Sequence, residues 1–399
     1  MGRISMIVWN DVRNDARVLK EAATLQSAGH KVTIFAILTP GKTPRQETLH
    51  SGVRVVRVAR GFGWNIGKLR HAGNKSGRRD KGSLRKLVQI VYMTPRIFAH
   101  ASLFVKMVVS RPDVVHGHDV NTLPTAWLVS KFANVPLVYD AHEISTDREG
   151  YSSFRSAVAW VEKRLMPRAA AAITTTEARA KFFARAYGVP RPLVLQNRPR
   201  YSPVERTDRI RRELALNEPW PIVLYQGNLQ SGRGLTRLVD AASDLTKVYV
   251  VFIGDGKMKD ELEAMAQSKG LTERVHFVPA VPLDELPSYT ESAEIGVQPI
   301  ENTCLNHYTT DSNKLFEYVI GGLAIVASSL PEIRKIVDTH DLGITVAPDD
   351  TKALAEGIKK LVDNEELRRL HAEKAKTAAL HLNWEDQEHR LVKLYETLT

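Results

Sequence analysis

A chain of 399 residues with 43% hydrophobic and 25% charged residues has room for two packed domains and is too apolar to remain disordered. The lone cysteine, Cys304, excludes an intramolecular disulfide, so cysteine usage does not call for an oxidising compartment. The net charge of +11 is unevenly divided: 33 Lys and Arg face 13 Asp and Glu through Arg200 (+20), and 23 face 32 thereafter (−9).

The opening MGRISMIVWND passes from a few apolar residues straight into charge, too short for a signal-peptide core. No apolar run approaches the roughly 20 residues of a membrane-spanning helix. The expected place is the cytoplasm, with peripheral attachment to the inner face of the membrane as an extension. Arg3 to Val8 reads as a short buried strand, Asn10 to Asn14 as a polar loop, and about Asp15 to Ala28 as a helix with Asp15 as its N-cap. Gly29 stops the helix and Lys31 to Ile37 returns as a strand, which completes a βαβ opening.

Between Gly61 and Lys86, eight basic residues and one acid, Asp80, interleave with Gly and Ser. This reads as a mobile basic loop, either merely solvated or in contact with an anionic membrane or acidic substrate. The apolar stretches that follow, from Leu87 to Met93 and from Ile97 to Met107, suit a helix pair lying on a membrane interface or packed in the core. Val53 to Val58, Val114 to His116, Leu137 to Tyr139 and Ala171 to Thr174 are further strands. Their alternation with helix-length segments argues for a parallel sheet.

A proline-rich, charged stretch from Gln196 to Pro221 reads as a linker. After it a second series starts, with strands at Ile222 to Tyr225, Val248 to Ile253, Val275 to Val278, Ile295 to Val297 and Ala324 to Ala327. The expected fold class is α/β, two Rossmann-like doubly wound domains. Ligands of such sheets sit beyond the carboxyl ends of the strands.

Three segments carry candidate chemistry. YQGNLQSGRGL, Tyr225 to Leu235, puts Gly227, Asn228 and Arg233 between a strand and a helix, where backbone amides can face an anion. IGDG, Ile253 to Gly256, ends the next strand in the same way with Gly254 and Asp255. In DSNKLFEYVIGGLAIVAS, Asp311 to Ser328, Asp311 and Ser312 can cap a helix whose first turn holds Asn313, Lys314 and Leu315, with Glu317 beside them. An anion site with a carboxylate next to it suits a nucleotide diphosphate and its ribose hydroxyls. Each segment alone also reads as an ordinary tight turn or capped helix.

With these segments in this order, the chain resembles the retaining GT-B glycosyltransferases of glycosyltransferase family 4. RNDARVLKEAATLQSAGHKVTIFA, DVVHGHD, LVYDAHE, IVLQNRP, the segment from Asp311 and the closing NWEDQEHRLVKLYETL all resemble family motifs in family sequence. The resemblance implies the GT-B architecture, with two domains facing across a cleft. Residues 1–200 would hold the acceptor, 201–383 the sugar nucleotide, and the helix at 384–399 would pack back on the first domain. It implies a UDP-sugar as first choice of donor and a GDP-sugar as second, a glycan or lipid-linked acceptor, and no cofactor or metal.

By the same resemblance His118 lies by the reacting carbon of the sugar, and Arg233 and Lys314 stabilise the departing diphosphate. Gly227, Asn228, Gly254, Asp255, Ser312, Asn313, Leu315 and Glu317 complete the donor set. Asn10, Asp11, Arg13 and Asn14 lie near the leaving phosphate, and His142 and Glu143 on the acceptor side. Two departures stand out: Thr309 replaces the first of the family's two glutamates, and Asn228 and Arg233 replace its phosphate-binding Arg and Lys. A metal held by His116, His118 and Asp119 is disfavoured, because adjacent strand positions point to opposite faces. A sugar-nucleotide epimerase on the same fold is the alternative. A basic nucleic-acid-binding protein ranks below it, because the positive half shows no stacking aromatics among its charges and no nucleic-acid motif.

Overall fold

The computed structural model describes residues 1–60, 82–148 and 155–399, with backbone alone for 82–94. The chain folds as two compact units. The first comprises Met1–Thr175, Ala180–Leu195 and Glu388–Thr399, and the second Thr176–Arg179 and Gln196–Gln387.

Among its described residues the first unit has eight strands: β1 (Arg3–Ile7), β2 (Lys31–Ile37), β3 (Gln46–Thr48), β4 (Arg54–Val58), β5 (Val114–His118), β6 (Leu137–Ala141), β7 (Ala171–Thr174) and β8 (Leu193–Val194). Their order is β3-β4-β2-β1-β5-β6-β7-β8, and only the β3–β4 pair is antiparallel. β5 and β6 are buried at every position, as expected of central parallel strands covered on both faces. The strand order reverses between β1 and β5, so the loop after β1 and the end of β5 flank the switch point where such sheets bind ligands. In the β5–β6 register His118 pairs with Asp140.

Helix α1 (Ala16–Ser27) begins under the Asp15 carboxylate, which accepts the Val18 amide, as its sequence predicts. The apolar stretches after the basic loop form one helix, α2 (Gly82–Val109), with Pro95 inside it, rather than a pair. The last five residues of the expected basic loop, Gly82 to Lys86, are its first turns; the remainder, 61–81, lies outside the described residues.

The second unit has six parallel strands, β9 (Ile222–Gln226), β10 (Tyr249–Ile253), β11 (Val275–Val278), β12 (Ile295–Gln298), β13 (Ala324–Ser328) and β14 (Gly343–Val346), in the order β11-β10-β9-β12-β13-β14. The reversal falls between β9 and β12. Apolar side chains alternate along these strands into two clusters. One holds Leu224, Val251 and Ile325 with Leu315, Phe316 and Val319; the other holds Val223, Val250 and Val326 with Leu235, Leu238 and Ile358. Among the described residues no helix is long and apolar enough to cross a membrane.

Candidate functional site

In the second unit the ends of β9 and β10 and the start of the helix Asn313–Ile320 come together. The helix is fixed to the sheet by Tyr318. A Cβ at Gly296 of β12 would lie 2.4 Å from its ring, so only glycine lets the ring settle there. The Tyr318 hydroxyl donates to Val297 O at 3.2 Å and accepts the Gln226 amide at 3.3 Å. That anchoring presents the preceding turn, Lys314 and Glu317, to the end of β9. Gln226 Nε2 donates to Glu317 Oε2 at 2.6 Å, and Thr290 Oγ1 donates to Gln226 Oε1 at 2.8 Å, so the Glu317 carboxylate is held in place by a buried amide.

Lys314 crosses Gly227 and reaches over the Tyr225 ring, its Nζ 5.3 Å from the ring centroid. A Cβ at Gly227 would lie 2.7 Å from Lys314 Cε, so a side chain there would displace the lysine. Burial, and then the Arg233 charge, push the Lys314 ammonium down to about 8, against the pull of Glu317. Two cations are thus held near each other with one partly engaged carboxylate, an arrangement an anion would relieve.

The glycines act differently from expectation. The Gly227 and Gly254 amides donate to Ile253 O and Val278 O at 2.8 and 2.9 Å, so neither is free for a ligand. Their role is steric: a Cβ at Gly254, whose φ is +143°, would fall 2.0 Å from Gly227 O, and one at Gly234 (φ +69°) 1.9 Å from Pro299 O. Asn228 and Asp255 are exposed beside them.

The capping expectation also needs correction. Ser312 stands at the N-cap with φ 53° but its side chain makes no capping bond. Leu315 is buried in the core and its amide is taken by Ser312 O at 3.2 Å. Asp311 is buried, its carboxyl pushed up to about 6 by burial and then restrained by Arg179 and by Gln196, which donates to it at 2.9 Å. Asn313 is exposed at the first turn. Thr309, in place of a glutamate, accepts a bond from Arg179 Nε at 3.3 Å.

In the first unit a buried ionic cluster lies at the switch point. Arg17 grips Asp140 with Nε and Nη2 at 2.7 and 2.9 Å, donates to Leu195 O at 2.6 Å, and has Glu21 Oε1 3.1 Å from Nε. His118 Nδ1 is 3.4 Å from Asp140 Oδ2 and 3.2 Å from His142 Nε2, and His142 Nε2 is 3.1 Å from the same Asp140 oxygen. His116 stacks on His118 with centroids 4.2 Å apart. Its Nδ1 meets the Tyr395 hydroxyl at 2.7 Å, and its Nε2 is 3.7 Å from Glu21 Oε2.

Charge in this cluster is decided by Asp140. Burial opposes its ionisation, but Arg17 and His142 hold it well below the usual carboxylate range. Burial opposes protonation of His142 too, yet Asp140 and Asp119 raise it to about 9, so it is a cation at neutral pH. Burial lowers His118 despite Asp140, and lowers His116 well below the usual range. Burial and then Asp140 push Glu21 up to about 8, against Arg17. Neutral His118 therefore keeps its proton on the nitrogen facing Asp140, and its buried Nε2, without a partner among the described residues, is left as an acceptor.

The set His116, His118 and Asp119 does not assemble. The two histidines, two positions apart, share a face, whereas Asp119 (φ 61°) turns to Arg148 at 3.1 Å and lies 3.9 Å from His142 Nδ1. Donor atoms of Glu21, His116, His118 and Asp140 do lie within 4.8 Å of one another, a spacing a metal ion could bridge. The Arg17 guanidinium, gripping Asp140 and beside Glu21, already fills the place of a cation there.

The loop after β1 is largely self-contained. Asn10 Nδ2 donates to Asp15 Oδ2 at 2.7 Å, the Asn10 side-chain oxygen accepts the Val12 amide at 2.8 Å, and Asp11 pairs with Arg13 at 2.9 Å and accepts from Thr39 at 2.7 Å. Val12, buried at φ 70°, is a strained β-branched residue at its centre. Asn14 is exposed. Glu143 lies 3.5 Å from Arg148 and is half-buried.

The sequence reading missed Arg17, Glu21, Asp140, Tyr395, Gln226 and Tyr318. The first two carried a signal: on α1 they take positions of the otherwise apolar buried face, with Val18, Ala22 and Leu25, where charges survive only in pairs.

Comparison with known proteins adds family information. Residues 206–378 match the family described as Glycosyl transferases group 1, and 15–198 the Glycosyl transferase 4-like domain. The alpha-D-kanosaminyltransferase of Streptomyces kanamyceticus is 26% identical over 65% of this chain and 71% of its own. A D-inositol 3-phosphate glycosyltransferase of Xylanimonas cellulosilytica is 24% identical over 96% of this chain and 91% of its own. Among solved structures, sucrose-phosphate synthase of Thermosynechococcus elongatus superposes with a TM-score of 0.76 at 18% identity, covering 100% of this chain and 99% of that one. Anabaena HepE, in complex with UDP-glucose, does so with 0.75 at 17%, covering 100% of both. These likenesses give the GT-B fold.

Proposed function

The chain belongs to the glycosyltransferases of the group 1 and 4-like families, and on that premise we propose that it moves a sugar from a nucleotide diphosphate to a hydroxyl acceptor with retention of anomeric configuration. The observation that carries the donor half is the pair Lys314 and Arg233, close enough to depress the lysine, beside the fixed carboxylate of Glu317. The diphosphate neutralises the two cations and Glu317 accepts from the ribose hydroxyls. A UDP-sugar is the first choice and a GDP-sugar the second. The HepE structures, which hold UDP and UDP-glucose, support that order.

In the reaction the acceptor oxygen bonds to the anomeric carbon on the face from which the diphosphate leaves. The bond from that carbon to the phosphate oxygen breaks, and the departing oxygen takes the acceptor's proton. Negative charge grows on the diphosphate, where Lys314 and Arg233 stabilise it as preorganised donors; this is the task a metal would otherwise have. His118 offers Nε2 as an acceptor to the transferred sugar, held by Asp140 in the tautomer that keeps that nitrogen bare. His142 and Glu143 face the acceptor. Acceptors of glycan or lipid-linked type, in cell-envelope polysaccharide or glycolipid synthesis, suit a chain with a strongly basic first half that works on the inner face of the membrane.

A thermal-shift screen with UDP, GDP, ADP and dTDP tests the donor site. UDP at a hundred times its dissociation constant adds about 2.7 kcal/mol of stability. No shift with any of the four overturns the reading. An epimerase would bind the same nucleotide and convert the sugar without acceptor, so product analysis by NMR separates the two.

A further inference from the structure

Among its described residues the first unit carries an exposed apolar face. Along α2 the core-facing residues Ala99, Leu103 and Met107 are buried, yet Ile97, Phe98, Val105 and Val109 lie on the opposite arc with exposures of 60, 61, 57 and 74%. The helix Asp119–Ala133 packs against α2, and Phe132, 71% exposed, meets Phe104 edge-on at 5.8 Å. Beside it packs the helix Arg155–Leu165, with Trp160 64% exposed and Arg164 over its ring. Large apolar side chains gathered on one face of a globular unit mark an interaction surface.

Charge selects the partner. Lys106, Lys131, Lys163 and Arg164 are exposed on the same three helices. From Pro95 to Arg111 there is no acidic residue, and the single acid of Arg155–Leu165, Glu162, is buried, accepting bonds from Tyr139, Ser145 and Tyr187. The acid of Asp119–Ala133, Asp119, stands at its first residue and is paired with Arg148. Aromatic and aliphatic tips set among lysines and arginines match the boundary between acyl chains and anionic headgroups.

We propose that this three-helix face docks on an anionic lipid bilayer, seating Phe98, Val105, Phe132 and Trp160 among the headgroups. The proposal deepens the membrane reading above and assigns it to described helices rather than to residues 61–81.

Co-sedimentation of the full chain with vesicles tests it, using phosphatidylglycerol mixed with phosphatidylcholine against phosphatidylcholine alone, at low and high salt. The wild type is expected to bind the anionic vesicles and to be weakened by salt. Two variants carry the assignment: Phe98→Ser/Val105→Ser/Phe132→Ser, and Lys106→Gln/Lys131→Gln/Lys163→Gln/Arg164→Gln. Each should lose at least about tenfold in vesicle affinity. Calorimetric UDP binding of each variant reports on the second unit alone, so its retention separates failure of the surface from failure of the donor site. Circular dichroism with a thermal melt of each variant shows that the first unit is still folded. No binding of the wild type to anionic vesicles overturns the proposal. Equal binding by folded variants also does, as does a concentration-dependent dimer that the apolar variant abolishes.

Discussion

The Tyr395 hydroxyl lies 2.7 Å from His116 Nδ1, which joins residues 279 positions apart inside the first unit. His116 in turn stacks on His118, so the last helix of the chain, Glu385–Glu396, braces the histidine proposed to act on the sugar. Replacing Tyr395 by Phe keeps the ring and leaves a buried imidazole nitrogen unsatisfied. Such a loss costs about 1–3 kcal/mol, which chemical denaturation of Tyr395→Phe should read. UDP affinity should not change.

His118→Ala is expected to keep donor affinity and to lower transfer by about a hundredfold or more, the scale of a positioned acid–base or polar contact at a reacting centre. The two quantities are read separately by calorimetry with UDP and by single-turnover transfer. Turnover near the wild-type rate removes His118 from the mechanism.

Much of this was legible in the sequence. Buried parallel strands are short apolar runs, so most of the sheet was readable, and the Asp15 cap stood where its side chain could reach the Val18 amide. β3, β8 and β14 were not, because two or three residues carry too little pattern and β14, which opens on Gly343, is buried only at Val346. His118, Lys314 and Glu317 could be picked out because they end strands or open helices. Arg17 and Asp140 could not be paired, because the β5–β6 register and the packing of α1 bring together residues 123 apart. Nor does a Gly-rich turn say whether its glycines offer amides or make room. Here Gly227 and Gly254 make room.

That distinction is testable. Gly254→Ala puts a Cβ 2.0 Å from Gly227 O at φ +143°, whereas Gly270→Ala, at φ +67° with nothing within 4 Å, meets only the backbone penalty. The second variant should cost roughly 1–2 kcal/mol. The first should cost clearly more and weaken UDP binding as well, because the Gly227 turn under Lys314 must shift. Equal melting temperatures would show that the turn yields freely.

Stability of the first unit should fall as pH rises from neutral. His142 in the folded state is raised to about 9, so its contribution is complete below the ordinary histidine range and is lost as pH climbs through the folded value. Glu21, raised to about 8, acts in the same direction, since the folded state holds its proton where the unfolded chain has released it. Urea melts at pH 6.5 and 9 should give a lower midpoint at the higher pH, and His142→Gln should flatten the difference. A midpoint that rises with pH in the wild type contradicts the assigned charges.

Donor affinity should follow Lys314. Burial and Arg233 bring its ammonium to about 8, so a growing fraction is neutral above that pH, and the diphosphate loses one of its two cations. Bound UDP raises the lysine again, so binding at pH 8 to 9 takes up a proton, and the measured heat varies with the ionisation enthalpy of the buffer. Affinity at pH 9 should be about tenfold below that at pH 7.5, as expected when a buried charge-assisted contact worth about 1.5–3 kcal/mol must first be recharged. Lys314→Arg, which stays charged throughout, should bind with little dependence on pH over that range, provided that the longer head still fits over Gly227. Arg233→Ala provides the matching control: it removes the repulsion, returns Lys314 towards its ordinary range, and should bind UDP more weakly at both pH values but with a shallower slope. Glu317→Ala should also weaken UDP and, because it removes the charge that holds the Lys314 ammonium up, should show the proton uptake at lower pH than the wild type. A wild-type affinity that is flat from pH 7.5 to 9, with no proton uptake, would remove Lys314 from the phosphate site.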